Sequence, residues 1–285
     1  MKKIILLLAI SIHLFGALSD TVHSSISTFY ENKNFSNSLQ KKYGQVYGVG
    51  ADVHYNNSKY KITYENGYTD TKKPPLQDNL KTDKLFLRYS YKVDNYIEFN
   101  GNYINILNDN IAITDGGKSY GIGLTIYNNK NFTTNFTQFY TIYDDFDVRQ
   151  SDLRINFKTN LNNFKIKISS ITKYIDISEK NINSFTKNAD KNYLTTGIKL
   201  HAHYINYHFG LGAYFGKRIF AIMDDGFKIQ HHAMEFNRTY ALGVGKVLNK
   251  FVYRIQYIYQ RATEIPILNK NVEINVVKVV TNYKF

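Results

Sequence analysis

Residues 251–260, FVYRIQYIYQ, place Phe251, Tyr253, Ile255, Tyr257 and Tyr259 at odd positions and Val252, Arg254, Gln256, Ile258 and Gln260 at even ones. Successive side chains of a strand point to opposite faces, so this run has one aromatic and aliphatic face and one face that carries charge. The same period of two recurs along most of the chain in pieces of about ten residues, the length of a tilted strand that crosses a membrane. Leu85, Leu87, Tyr89 and Tyr91 alternate with Phe86, Arg88, Ser90 and Lys92, and Tyr120, Ile122, Leu124 and Ile126 with Gly121, Gly123 and Thr125. Leu153, Ile155 and Phe157 alternate with Asp152, Arg154, Asn156 and Lys158; Phe164, Ile166 and Ile168 with Lys165, Lys167 and Ser169. Tyr207, Phe209, Leu211, Ala213 and Phe215 alternate with His208, Gly210, Gly212, Tyr214 and Gly216.

The connections fall into two lengths that alternate. Short turns rich in Asn, Asp and Lys occupy residues 56–58, 94–95, 128–131, 159–163, 205–206 and 248–250. Longer polar segments lie near 32–42, 69–83, 107–117, 144–149, 176–191, 221–233 and 262–271. Seven long links and six short ones join fourteen strands, an even count that returns the chain to the side on which it began. Gln138 falls on the apolar side of residues 132–143 and blurs that segment, so twelve and sixteen strands are the neighbouring counts.

The alternation alone does not say which face is outside. The polar face carries Arg88, Lys92, Arg154, Lys158, Lys165, Lys167, Lys199, Arg254 and Lys278. A packed barrel interior could not desolvate that many ions, whereas a wide watery lumen accepts them. The apolar face is then the one in hydrocarbon, and closure removes the unpaired strand edges that lipid cannot satisfy. Tyrosines near strand ends, Tyr91, Tyr96, Tyr127, Tyr193, Tyr204 and Tyr207, are expected in the interfacial girdle, where a ring finds apolar contact and its hydroxyl finds water.

The N-terminus supplies a compartment. Lys2 and Lys3 precede the apolar run Ile4 to Ile10, and Ala17-Leu18-Ser19 is a small-residue cleavage site, so residues 1–19 read as a signal peptide and 20–285 as the barrel. The chain has no cysteine, which excludes a disulfide framework and thiolate metal sites. No apolar stretch of about 20 residues follows, so any membrane crossing must use strands.

In the last stretch, VEINVVKVVTNYKF, residues Val277, Val279, Thr281, Tyr283 and Phe285 share a face and the chain ends on Phe285. This resembles the C-terminal strand signature of Gram-negative outer-membrane β-barrels. The resemblance implies an all-β, closed antiparallel transmembrane barrel of porin-like kind in the bacterial outer membrane. It also implies that Tyr283 and Phe285 are read by the barrel assembly machinery. It points to no narrower family.

Counting the inward positions, Lys61, Lys173 and Lys284 join the nine basic residues above, against Asp52, Glu65, Glu98 and Asp152. The expected function is a porin-like diffusion channel, monomeric, with a basic lumen that favours small anionic solutes. Two plainer roles exist for the basic residues: those near the rim can meet lipopolysaccharide phosphates, and inward lysines can pair with loop carboxylates such as Asp144, Asp145 and Asp147. The segment from Asp70 to Asp83, stiffened by Pro74 and Pro75, is the leading candidate to constrict the pore, followed by 176–191.

Two other classes compete. A barrel whose outer loops bind a partner is an adhesin, although loops of about 6 to 16 residues are modest for that work. A membrane-embedded lipid hydrolase needs a His beside a Ser as general base, and the nearest approach here, His54 to Ser58, crosses a turn. No enzyme, cofactor or metal is expected. If Ile205 and Asn206 form a two-residue hairpin tip, His203 and His208 stand opposite one another as a candidate pair with His201 two residues away, but a transition metal needs a third ligand. His231 and His232 fall on an outer loop. The net charge of +13, or about +11 without Lys2 and Lys3, is spread along the strands rather than gathered in one patch, so nucleic acid is not a partner.

Overall fold

Strands with one wholly apolar face cannot leave that face in water and cannot leave an edge unpaired in lipid, and this chain resolves both demands by closing on itself. The computed structural model describes residues 22–73, 76–110, 112–181 and 188–285. Residues 1–19, expected to be a signal peptide, and the Pro74-Pro75 pair lie outside the described residues. In chain order the strands are β1 (Val22–Ser36), β2 (Lys41–Tyr55), β3 (Ser58–Thr71), β4 (Leu80–Lys92), β5 (Ile97–Asp109), β6 (Lys118–Tyr127), β7 (Phe132–Ile142) and β8 (Phe146–Leu161). They continue as β9 (Phe164–Glu179), β10 (Asn192–Tyr204), β11 (Tyr207–Arg218), β12 (Ile222–Met223), β13 (Lys228–Ile229), β14 (Met234–Leu248), β15 (Phe251–Glu264) and β16 (Asn269–Lys284).

Fourteen of these form one closed antiparallel barrel, each beside its neighbour in sequence, with β12 and β13 standing apart as a small hairpin. The cylinder shuts where β1 meets β16, along a ladder from Ser25 opposite Lys284 to Ser36 opposite Glu273. Fourteen strands about 4.8 Å apart and tilted ~40° give a backbone cylinder roughly 28 Å across, too wide for wall side chains alone to fill.

The outer surface carries Ile62, Leu87, Ile122, Leu153, Ile198, Leu211, Leu242, Ile255 and Val279, all exposed. Phe251, Tyr253, Ile255 and Tyr257 are all exposed on that side and Tyr259 is half-buried there, while Val252 is buried. Gln138 does point outward, and there its carbonyl accepts from Ser151 Oγ at 2.7 Å across the β7–β8 pair, so the two polar groups satisfy each other.

Two expectations need correction. The barrel strands run 10 to 16 residues, and all but β6 are longer than the expected ten, because their outer ends continue past the apolar belt. There the outward face turns polar, as where Asn66 Nδ2 donates to Asp83 at 3.0 Å. Of the six girdle tyrosines, Tyr193 instead faces inward and is 2% exposed within an interior cluster. Tyr127 also turns in, donating its hydroxyl to Glu98 at 2.9 Å beneath Lys92. Each occupies an odd position on a strand whose outward residues are even, and parity overrides the preference of a ring for the interface.

Candidate functional site

The wide lumen is occupied from within by residues 219–233, the link between β11 and β14. Ile219, Phe220, Ala221, Ile222 and Met223 pack with Ile229 against Phe86, Ile104, Phe139, Tyr143, Phe146, Ile171 and Ile175 of the wall, making a dry core on one side of the barrel. Glycines on the inward face allow this. A Cβ on Gly121 would lie 2.5 Å from the Phe139 ring, and one on Gly197 would lie 2.4 Å from the Tyr214 ring, so both rings lie flat against bare backbone. The residues singled out for constriction were 70–83 and 176–191. Their described parts stay at the rim, where Lys72 Nζ reaches the Ser38 carbonyl and Lys180 Nζ the Tyr143 carbonyl. The loop that enters is the one with an apolar run to bury.

Polar contacts fasten the inserted loop to walls on several sides. Gln150 exchanges two hydrogen bonds of 2.8 Å with the Ile222 backbone, and Lys173, ion-paired to Asp152, donates to the Ile222 carbonyl at 2.9 Å. At the hairpin tip, Asp224 meets Lys199 Nζ at 2.9 Å. Asp225 receives both ends of the Arg154 fork, at 2.6 and 2.5 Å, while Arg88 donates to its carbonyl at 3.0 Å. Lys61 sits over the Phe227 ring at 4.3 Å. On the far wall Glu31 collects Lys278 at 2.9 Å, Lys33 at 3.5 Å and Lys228 of the hairpin at 3.6 Å. The tip bends through left-handed residues, with Asp224 at φ 49° and Asp225 at φ 60°, followed by Gly226 at φ 92°. A Cβ on Gly226 would also strike Asn102 Oδ1 at 2.8 Å, so glycine is required there twice over.

The carboxylates of the tip are electrostatically committed. Lys199 holds Asp224 well below the usual carboxylate range, against the burial that would raise it. For Asp225 burial is the largest influence and raises it, but Arg154, Arg88 and Lys199 together outweigh that and keep it low. Both therefore stay ionised at neutral pH. Lys199, Arg154, Lys33, Lys228 and Lys278 are thus paired with Asp224, Asp225 and Glu31; Asp147 instead pairs with Lys180 at 2.7 Å at the rim.

His231 and His232 do not lie on the outer surface. His231 is buried, and its Nδ1 is 2.7 Å from Asp109 Oδ2, which also accepts from Thr114 Oγ1 at 2.6 Å. Among the described residues Asp109, His231 and His232 are the group whose ligand atoms approach within 4.8 Å of one another. Lys84, Lys33 and Lys41 gather around the same spot, an environment that suits a carboxylate latch better than a cation. Burial pushes His231 well down from the ordinary histidine value, and these lysines push it further.

The remaining cations lie toward the short-turn end. Lys158 stands opposite Lys167 and Lys165 opposite His203, and His203 faces His208 with ring centroids 4.2 Å apart. A cavity of about 280 Å³ is lined there by His201, His203, His208, Arg254, Gln256 and Lys284. A second, of about 270 Å³, continues it past His201 and Gln256 to Lys199, Arg218 and the inserted residues Met223, Asp224 and Lys228. The two share wall residues on β10, β11, β14 and β15, the side away from the dry core. Lys92 lies at a strand end, bonded to Asn95 Oδ1 at 3.3 Å.

His54 and Ser58 fall on opposite faces. His54 neighbours His23 and Lys59 across the sheet, whereas Ser58 Oγ shares a hydrogen bond of 3.2 Å with the lipid-side Tyr89 hydroxyl.

With an apolar exterior, a sealed strand ladder and a charged, loop-filled interior all present, the architecture is decided. The fold is that of an outer-membrane β-barrel. A bacterial polysaccharide outer-membrane secretin is similar over 94% of this chain and 99% of that one, with a TM-score of 0.55 at 10% identity. The toluene transporter TbuX of Ralstonia pickettii matches over 95% and 90% of the two chains, with a TM-score of 0.53 at 10% identity. The outer-membrane protein Omp33 of Acinetobacter baumannii matches over 93% and 100%, with a TM-score of 0.52 at 8% identity. No protein-family model matches the sequence, and no curated protein matches it.

Sequence reasoning missed Glu31, Asp224, Asp225, Gln150 and Arg218. A signal for the inserted loop is present in the sequence: IFAIM, residues 219–223, is a run of five consecutive apolar residues that extends into the polar link 221–233.

Proposed function

We propose that this outer-membrane barrel is a channel for small anionic solutes, narrowed by its own inserted loop. The observation that carries the reading is the grip of Arg154, Arg88 and Lys199 on Asp224 and Asp225, because the protein's own carboxylates occupy a cationic cradle in the middle of the lumen. An anion that enters from either side meets the same chemistry. Lys158, Lys165, Lys167, Arg254 and Lys284 have no ion pair among the described residues and bias the approach toward negative charge, with Lys92 and Lys278 flanking them. The open side of the lumen, along β10, β11, β14 and β15, is the route past the loop. Export by the signal peptide of residues 1–19 and assembly through Tyr283 and Phe285 belong to the same reading. The Phe285 N–H already bonds to the Ser24 carbonyl at 3.0 Å across the β1–β16 seam, where the barrel closes. Lipopolysaccharide borders the outer rim, and the barrel acts as a monomer without cofactor.

Reconstitution into planar bilayers under a salt gradient tests this. The reversal potential should report anion preference, and Lys167→Glu with Arg254→Glu should reverse it. A barrel that inserts yet never conducts would favour a role for its outer loops in binding a partner instead.

A further inference from the structure

Arg218, the last residue of β11, is fully buried and carries a charge with no carboxylate beside it. Its Nη2 donates to Thr239 Oγ1 at 2.5 Å, but Nε and Nη1 have no partner among the described residues. The guanidinium lies 5.5 Å from the Tyr214 ring and 5.4 Å from the Phe236 ring, contacts that position it but neutralise nothing. A buried ion left uncompensated is strongly unfavourable, and two orphaned donors add to that cost. The same residue lines the cavity of about 270 Å³ beside the inserted loop. Two further polar groups belong to that lining: Gln230 Oε1 is also buried without a partner, and the buried Tyr214 hydroxyl lies beside Lys199 with its own O–H left to donate.

We infer that this cavity is a binding site for a small organic carboxylate, admitted by a rotation of the Arg218 side chain that turns its covered, free Nε and Nη1 donors onto the carboxylate oxygens. The planar fork of a guanidinium matches a carboxylate with two parallel hydrogen bonds. Tyr214 OH is a further donor, and Gln230 Oε1 accepts from a hydroxyl or amine on the ligand. Tyr214, Met223, Ala241 and Ile258 supply an apolar wall, so the acid carries an apolar body, and the volume limits it to a compact molecule. Glu235, Asp224 and Glu31 are all engaged with lysines elsewhere and do not compete for Arg218. The site deepens the channel reading and rests on it only for the claim that the bound acid is in transit.

Benzoate binding to the purified barrel in detergent, followed by calorimetry, tests the assignment without any current being measured. Wild type should bind, and Arg218→Met should weaken binding at least tenfold while raising thermal stability in carboxylate-free buffer, because it removes an unpaired buried charge. Tyr214→Phe keeps the ring and should weaken binding by a smaller factor. Unchanged affinity in Arg218→Met, or no benzoate binding by wild type, overturns the site. Equal affinity for chloride or inorganic phosphate overturns the carboxylate assignment. A barrel that binds benzoate but carries no current sinks the channel and leaves the site standing.

Discussion

At the scale of single residues, the alternation of FVYRIQYIYQ becomes a choice of solvent. Ile255 is 50% exposed on the lipid side near the middle of β15, and Arg254 lines the inner cavity. Ile255→Arg is therefore expected to lower stability by ~2–4 kcal/mol, measured by denaturant unfolding from lipid vesicles. Arg254→Gln should leave the unfolding midpoint in place and reduce anion preference. Equal tolerance of the two changes would mean the faces are assigned the wrong way round. Which way a residue points was readable wherever a short turn fixes the register, as at Ile205 and Asn206 between β10 and β11. What a residue touches was not. Asp225 meets Arg154 from 71 positions away in sequence, and Lys228 meets Glu31 from the opposite wall, distances over which a period of two carries no information.

Among the elements, the inserted hairpin differs in kind from the strands around it. Strands are specified by local alternation, but β12 and β13 are two residues each and exist because the walls hold them. Their latch is ionic, and its pH dependence follows. Asp224 and Asp225 have folded values below their unfolded ones, so their contribution is complete above the unfolded carboxylate value, about 4, and is lost as pH falls through the depressed folded values. Conductance should stay at its restricted level from neutrality down to about pH 4 and rise only in stronger acid. Asp224→Asn with Asp225→Asn should show the larger conductance already at pH 7. Currents recorded while the bath is acidified decide between this and control by histidine, which would open the pore between about pH 6 and 7.

For the whole molecule, the fourteen-stranded wall and the loop inside it are separable in hydrogen bonding, since every barrel strand completes its ladder with other barrel strands. The dry core nevertheless joins them: Phe86, Ile104, Phe146 and Ile175 face inward and pack in one cluster with Ile219 to Met223 and Phe227 of the loop. Inward apolar residues on an otherwise polar face, set beside glycines that let rings lie flat, mark where a barrel holds its own filling. Replacing residues 220–231 with a short Gly-Ser link should leave the outer ladder intact and refolding into detergent possible, because lipid contact and strand closure are untouched. It should cost stability, as the uncovered aliphatic patch and the released Arg88, Arg154 and Lys199 meet water and one another. Single-channel conductance should rise several-fold with stronger anion preference, since those three cations then line an unobstructed bore. A loop-less barrel that fails to close would show that the inserted hairpin is a core the wall needs rather than a restriction placed upon it.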